Sequence, residues 1–265
     1  MSGVRAGIMV SNQQFETEDM VSKLEEQIVM VRMARDRGWD SYFAGQHYLN
    51  EGGNQGLQVV PYLARLAADA GDMTMGVGLL LAPLHNPVYT AETIATLDVI
   101  SRGNMVFGVG LGYRTVEFDA FGVRKGQRVQ RFEECVAVAK RLWTEDKVSY
   151  ESETCILKDA HLSLRCVQKP HPPIWMPITG SKESIEFAGR NNIPITPGAS
   201  TRGLRDDIIR YYARCLAGAG HKITPDHLSL FPNVYVAGSK AEALKEAGPY
   251  FLYFNRTLFS HGNVT

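Results

Sequence analysis

The sequence predicts an α/β chain built as a TIM (β/α)8-type barrel, and three observations lead there. Segments such as MTMGVGLLLA and NMVFGVG are continuous apolar runs that do not alternate, the pattern of parallel strands buried on both faces. They take turns along the chain with segments of helical period, which gives the α/β class. Seven such β–α units fall within 265 residues, which points to a barrel more than to a doubly wound sheet, and barrels run to about 250 residues. No repeat, low-complexity tract or linker interrupts them, so residues 1–265 read as one domain.

Taken in order, RAGIMV reads as a short buried first strand. Residues 17–37 read as a helix with Thr17 as N-cap, Glu18 and Asp19 in the first turn and Gly38 as the stop. Within it Val21, Leu24, Ile28 and Val31 recur at spacings of three and four, an apolar stripe on one face. WDSYFAG is the second strand. A helix from about Gln58 to Ala70 turns Val60, Leu63 and Ala67 inward, and MTMGVGLLLA is the third strand. The loop PLHNPVY leads to a helix from Thr90 to Ser101, ended by Gly103, and then to the fourth strand, NMVFGVG. After Gly112 a long connection reaches a helix at about Gln127–Trp143, and residues 148–168 alternate as an antiparallel excursion. PPIWMPIT is the fifth strand, followed by a helix at 181–190. IPIT is the sixth, followed by a helix at 203–219. LSLFPNVYVA is the seventh, and a last helix begins near Lys240.

Composition narrows the function classes. The formal net charge is zero and no long run of lysine or arginine occurs, so nothing predicts nucleic acid or an acidic membrane as partner. No apolar run approaches the ~20 residues that span a bilayer, and the N-terminus shows no signal-like segment. Cys135, Cys155, Cys166 and Cys215 lack C-x-x-C spacing, which suits reduced thiols in a cytoplasmic protein better than disulfides or zinc. No metal site is expected.

In a barrel the chemistry sits at the C-terminal ends of the strands. The second strand ends in GQHYLN, which puts His47 just past a strand terminus. The third ends near Gly78 and Leu79, and the fourth runs into Gly110, Leu111, Gly112, Tyr113 and Arg114. The fifth ends in Thr179, Gly180 and Ser181 before a helix, where free amides, a glycine and two hydroxyls suit an anion. The same three residues also suit an ordinary helix cap, Tyr113 suits core packing at a strand end, and His47 suits a surface or capping histidine. Gly108, Gly110 and Gly112 make G-x-G-x-G, not the G-x-G-x-x-G of a dinucleotide fingerprint, and no nicotinamide site is expected. His85, His161, His171, His221, His227 and His261 fall in connections, read as solvated and are assigned nothing, and Glu117 and Asp119 read as solvated loop carboxylates.

These pieces, in this order, resemble the bacterial luciferase-like family of flavin-dependent oxidoreductases. The most specific stretches are NPVYTAETIATLDVISRGNMVFGVGLGYRTVEFDAFG and the helix that begins QRVQRFEE. The resemblance implies that His47 lies beside the reactive edge of a flavin, and that the strand-four glycines make room for the ring and ribityl chain. It implies a non-proline cis peptide at Gly78–Leu79 and an arginine, Arg128 or Arg131, at the flavin phosphate beside Thr179, Gly180 and Ser181. Reduced FMN from a separate reductase would react with O₂ to oxidise a small molecule, with His47 managing a proton. Hydride transfer with the deazaflavin F420 is the alternative enzyme reading, and a non-catalytic flavin binder the reading from another class. The family further implies a homodimer through helices near Gln58–Ala70 and Thr90–Ile100, with Ala64, Ala67, Ala68, Ala91 and Ala95 permitting close approach. Luciferase-like chains usually add an eighth strand, and no such segment precedes Thr265, so a C-terminally truncated barrel with a gap between first and seventh strands is expected.

Overall fold

The computed structural model describes residues 4–50, 53–178, 180–197 and 206–257. In chain order the elements are β1 (Gly7–Met9), β2 (Gln13–Phe15), α1 (Met20–Asp36), β3 (Ser41–Ala44), β4 (Asn54–Gly56), α2 (Val59–Ala70) and β5 (Thr74–Leu81). There follow α3 (Pro87–Ile100), β6 (Met105–Gly110), α4 (Thr115–Ala120), α5 (Arg128–Thr144), β7 (Val148–Glu151), β8 (Ile156–Ala160) and β9 (Ile174–Ile178). The last are α6 (Lys182–Arg190), β10 (Ile195–Pro197), α7 (Asp206–Gly218) and α8 (Lys240–Thr257). Six strands form one parallel sheet in the order β1-β3-β5-β6-β9-β10.

The sheet curls. Two strands separate β3 from β9, a span of roughly 14 Å if flat at about 4.8 Å per strand, yet the rings of Phe43 and Trp175 lie 5.4 Å apart. The concave face is lined by glycines and filled from neighbouring strands. Gly76 and Gly78 of β5 share that face at a spacing of two, and the Phe43 ring covers Gly76 so closely that a Cβ would meet it at 1.9 Å. On β6 the Leu79 side chain lies over Gly108 and Gly110. Helices α3 and α5 pack together on the convex face, where the buried Trp143 indole donates to the Ala91 carbonyl at 3.0 Å. The excursion at 148–168 is the antiparallel pair β7–β8, as its alternation predicts.

Several sequence expectations change here. The first helix starts at Met20 and not near Thr17, because the Asp19 carboxylate accepts from both the backbone and the hydroxyl of Ser22; Val21 is consequently turned to solvent. The third helix starts at Pro87, earlier than Thr90: Asn86 accepts from the Val88 amide, and Pro87 sits where its missing N–H costs nothing. The seventh strand is reduced to a single parallel bridge between Leu228 and Ile195. Pro232 removes a ladder donor, and Phe231 turns onto Phe43 and Trp175 at 5.6 and 5.3 Å instead of extending the sheet. The described parallel sheet therefore has six strands with β1 and β10 at its edges, and not seven. The short antiparallel pair β2–β4 was not legible in the sequence, being three residues on each side. Ala91 and Ala95, assigned to a dimer contact, are fully buried within the chain's own core, whereas Ala64 and Ala67 are only partly covered. The four cysteines are free, as the spacing predicts.

Candidate active site at the C-terminal strand ends

The chain leaves β3 through Gly45, where a Cβ would lie 2.2 Å from the Gly78 carbonyl. This close approach joins the end of β3 to an irregularity in β5. Val77 pairs with Phe107 and Leu80 with Val109, so Gly78 and Leu79 bulge opposite Gly108 alone. The Gly78–Leu79 peptide is cis, as the family resemblance implies. Gly108 faces the Val77 carbonyl at 1.9 Å from its would-be Cβ, and Gly110 faces the Leu79 side chain at 3.0 Å. Gly112 has φ +71 and turns the chain from β6 into α4. The strand-four glycines thus have reasons within the chain itself: close strand contact, a covering leucine and a left-handed turn.

The turn at Gly112 delivers α4, and with it the group that organises the site. Glu117 is fully buried, which corrects its reading as a solvated loop carboxylate. Its Oε1 accepts the Tyr48 backbone N–H at 2.9 Å and lies 3.1 Å from His47 Nδ1 and 3.6 Å from an Arg114 guanidinium nitrogen. Its Oε2 has no hydrogen-bond partner, so all of its compensation comes through the other oxygen. Arg114 also clamps the loop after β3 by donating to the carbonyls of Tyr48 and Leu49. On the far side of the imidazole, the Tyr113 hydroxyl lies 3.3 Å from His47 Nε2, with the two rings edge to face. Tyr113 is 41% exposed, so it is not core packing, and burial of the phenol raises its pKa.

Beside this cluster, Tyr48 and His85 form a second pair. The Tyr48 hydroxyl is 3.0 Å from His85 Nε2, and Tyr89 and Phe121 close around the imidazole. Burial lowers the His85 pKa to about 4 and pushes Tyr48 up to about 12. The ring is therefore neutral near pH 7, and a hydrogen bond joins it to the phenol. This corrects the reading of His85 as a solvated loop residue. The signal that could have found both Glu117 and His85 was their position in the connections that leave strand ends, seven residues past Gly110 and four past Leu81 respectively.

The remaining expected residues are less tightly gathered. Leu111 is half-buried against the main core. Arg131 donates to the Pro83 carbonyl at 2.7 Å, whereas Arg128, one turn nearer the start of α5, makes no hydrogen bond or ion pair with the described residues. Thr179 lies outside the described residues. Gly180 has φ +135 and open space where a Cβ would be. Ser181 caps α6, accepting weakly from the Ser184 amide at 3.4 Å and donating to Glu183 at 2.7 Å, so its hydroxyl is already engaged.

The chain matches the luciferase-like monooxygenase family over residues 4–263. It is 26% identical over 240 residues to the oxygenase component of a flavin-dependent trigonelline monooxygenase of Acinetobacter baylyi, covering 87% of this chain and 64% of that one. It is 28% identical over 193 residues to an F420-dependent glucose-6-phosphate dehydrogenase of Microbacterium testaceum, covering 71% and 54%. The chain thus spans less than two thirds of the length of either relative. Among solved structures, the monooxygenase RslO1 of Streptomyces bottropensis superposes with a TM-score of 0.86 at 25% identity, over 98% of this chain and 80% of that one. A half-exposed histidine held at the mouth of a curled parallel sheet, within a match that runs along nearly the whole sequence, makes this chain a member of the luciferase-like monooxygenase family.

Proposed function

We propose that this chain is the oxygenase of a two-component system, binding reduced FMN at the strand-end mouth and using O₂ to oxidise a small organic molecule. The observation that carries the reading is His47, half-exposed at the end of β3 and fixed by a carboxylate with no exposure of its own. A partly exposed imidazole anchored by a fully buried carboxyl group suits proton handling better than surface decoration. The likeness to an oxygenase component that works with flavin supports the cofactor and a separate reductase.

The residues present fit a flavin. Open space beside Gly180 and an uncommitted Arg128 suit a phosphate, and Phe43, Trp175 and Phe231 offer an apolar wall. When bound, the flavin supplies the electrons and the oxygen chemistry. In this reading Arg128 and the amides at Gly180 and Ser181 hold the phosphate, with Thr179 as their neighbour. Leu79, whose side chain covers Gly110, would with Gly78, Leu111, Gly112 and Tyr113 form the floor for the ring system. The apolar wall excludes water, and His47 manages a proton at Nε2.

The test is a pair of anaerobic titrations with reduced FMN and reduced F420, followed by admission of oxygen. Micromolar binding of FMN and oxygen uptake that depends on added substrate support the proposal. Binding and turnover with F420 alone would replace it by hydride transfer, and binding without turnover by a flavin carrier. His47→Ala should retain binding and lose about two orders of magnitude in rate.

A further inference from the structure

We infer that Tyr113 is the group that meets the substrate's exchangeable proton, and that His47 and Glu117 act through it as a three-membered relay. This rests on the proposed function for its reaction, but not for its geometry. A buried carboxylate whose Oε1 already gathers the Tyr48 amide and the Arg114 guanidinium acts as an acceptor toward His47 Nδ1 at 3.1 Å. The Nδ1 position therefore carries the hydrogen, and in the neutral ring Nε2 is bare. The only group the described structure sets against Nε2 is the Tyr113 hydroxyl at 3.3 Å, which must then be the donor. A phenol has one hydrogen. With it aimed inward at Nε2, the lone pairs of the oxygen face outward, on a side chain that is 41% exposed.

The consequence is a base that works at one remove. A substrate X–H gives its proton to the Tyr113 oxygen while the phenol's own proton passes to His47 Nε2. The X–H bond breaks with its electron pair left on X, a new O–H bond replaces the old one, and an N–H bond forms. Tyr113 ends neutral, as it began. The positive charge appears on the imidazole, 3.1 Å from the Glu117 oxygen that stabilises it, the logic by which a carboxylate orients and supports a catalytic histidine. Among the described residues, the other titratable or charged groups at this cluster are Arg114, against Glu117, and Tyr48, whose hydroxyl is turned to His85. Burial keeps the Tyr113 phenol protonated at neutral pH, as the relay requires.

The test uses the ligand-free protein first. In ¹⁵N-imidazole spectra recorded above the titration of the ring, His47 should show a protonated Nδ1 and a bare Nε2. Tyr113→Phe should keep that tautomer while shifting the Nε2 resonance, and Glu117→Gln should mix the tautomers. A protonated Nε2 in the wild type, or an Nε2 resonance unmoved by Tyr113→Phe, overturns the relay. These spectra decide the relay even if no flavin turns over, so it and the proposed function fail separately. In turnover, Tyr113→Phe should lower the proton-dependent rate about 10²-fold or more, and the Tyr113→Phe, His47→Ala pair should be no worse than His47→Ala alone. A Tyr113→Phe enzyme as fast as wild type beside an inactive His47→Ala enzyme shows that His47 acts directly, and overturns the inference.

Discussion

Replacing Gly108 by alanine separates two explanations of the glycines at the end of β6. If they make room for a ligand, the substitution spares the ligand-free protein and harms binding. The structure says otherwise for this position. The added Cβ would lie 1.9 Å from the Val77 carbonyl oxygen and 3.1 Å from its carbon, where a carbon–oxygen contact needs about 3.3 Å. Backbone cannot rotate away as a side chain tip can, so β5 and β6 must part by more than an ångström around the bulge at Gly78 and Leu79. Loss of roughly two or three ladder hydrogen bonds at about 1 kcal/mol each gives a destabilisation of about 2–3 kcal/mol. At about 2–4 °C per kcal/mol for a chain near this size, Tm falls by roughly 4–12 °C. Gly110→Ala is the control. Its Cβ meets only the flexible end of Leu79 at 3.0 Å, and the cost should stay below about 1 kcal/mol. The assay is thermal or urea unfolding of both variants without flavin. If Gly108→Ala unfolds with the wild type and only its flavin affinity drops, the close strand contact is not what the glycine serves.

Burial holds His85 near pKa 4 against an ordinary 6.5, so between these values the unfolded chain binds the extra proton and stability falls as pH drops, by at most about 3 kcal/mol. His85→Gln should flatten the urea midpoint between pH 6.5 and 4.5 relative to wild type, and parallel curves would show that His85 is not the cause. Arg128→Ala should weaken FMN at least about tenfold and leave riboflavin unchanged, whereas Arg131→Ala should lower Tm through the lost Pro83 contact; equal losses for FMN and riboflavin would remove Arg128 from the phosphate. A C₂ dimer by light scattering at micromolar concentration is expected from the family. Such a dimer would have to use Ala64, Ala67 or Ala68 without Ala91 and Ala95, which the chain's own core already buries.

Much of the fold was fixed by local pattern. Continuous apolar runs identified β3, β5, β6, β9 and β10, because strands covered on both faces have no solvent side to alternate toward; β1 was located the same way but is not the buried strand expected, since Gly7 and Met9 are exposed at the edge of the sheet. Helix interiors followed from their 3.6-residue period, and only their starts moved, since Asp19 and Asn86 compete with neighbouring caps on hydrogen-bond geometry that a sequence does not display. The place of His47, just past the end of β3, was legible because a strand end in an α/β sheet is a defined place. What only the tertiary structure decided was burial and partnership across the sheet. Glu117 reads as a loop acid until α4 folds it beneath the β3 loop, 70 residues away in sequence from His47. Gly108 reads as ligand space until β5 is seen bulging over it. LSLFPNVYVA reads as a strand until the curled sheet offers Phe231 two aromatic rings that outbid a ladder broken at Pro232. Periodicity reports what each segment does with its own two faces. Which distant segment meets those faces, and at what distance, is set by the curl of the sheet.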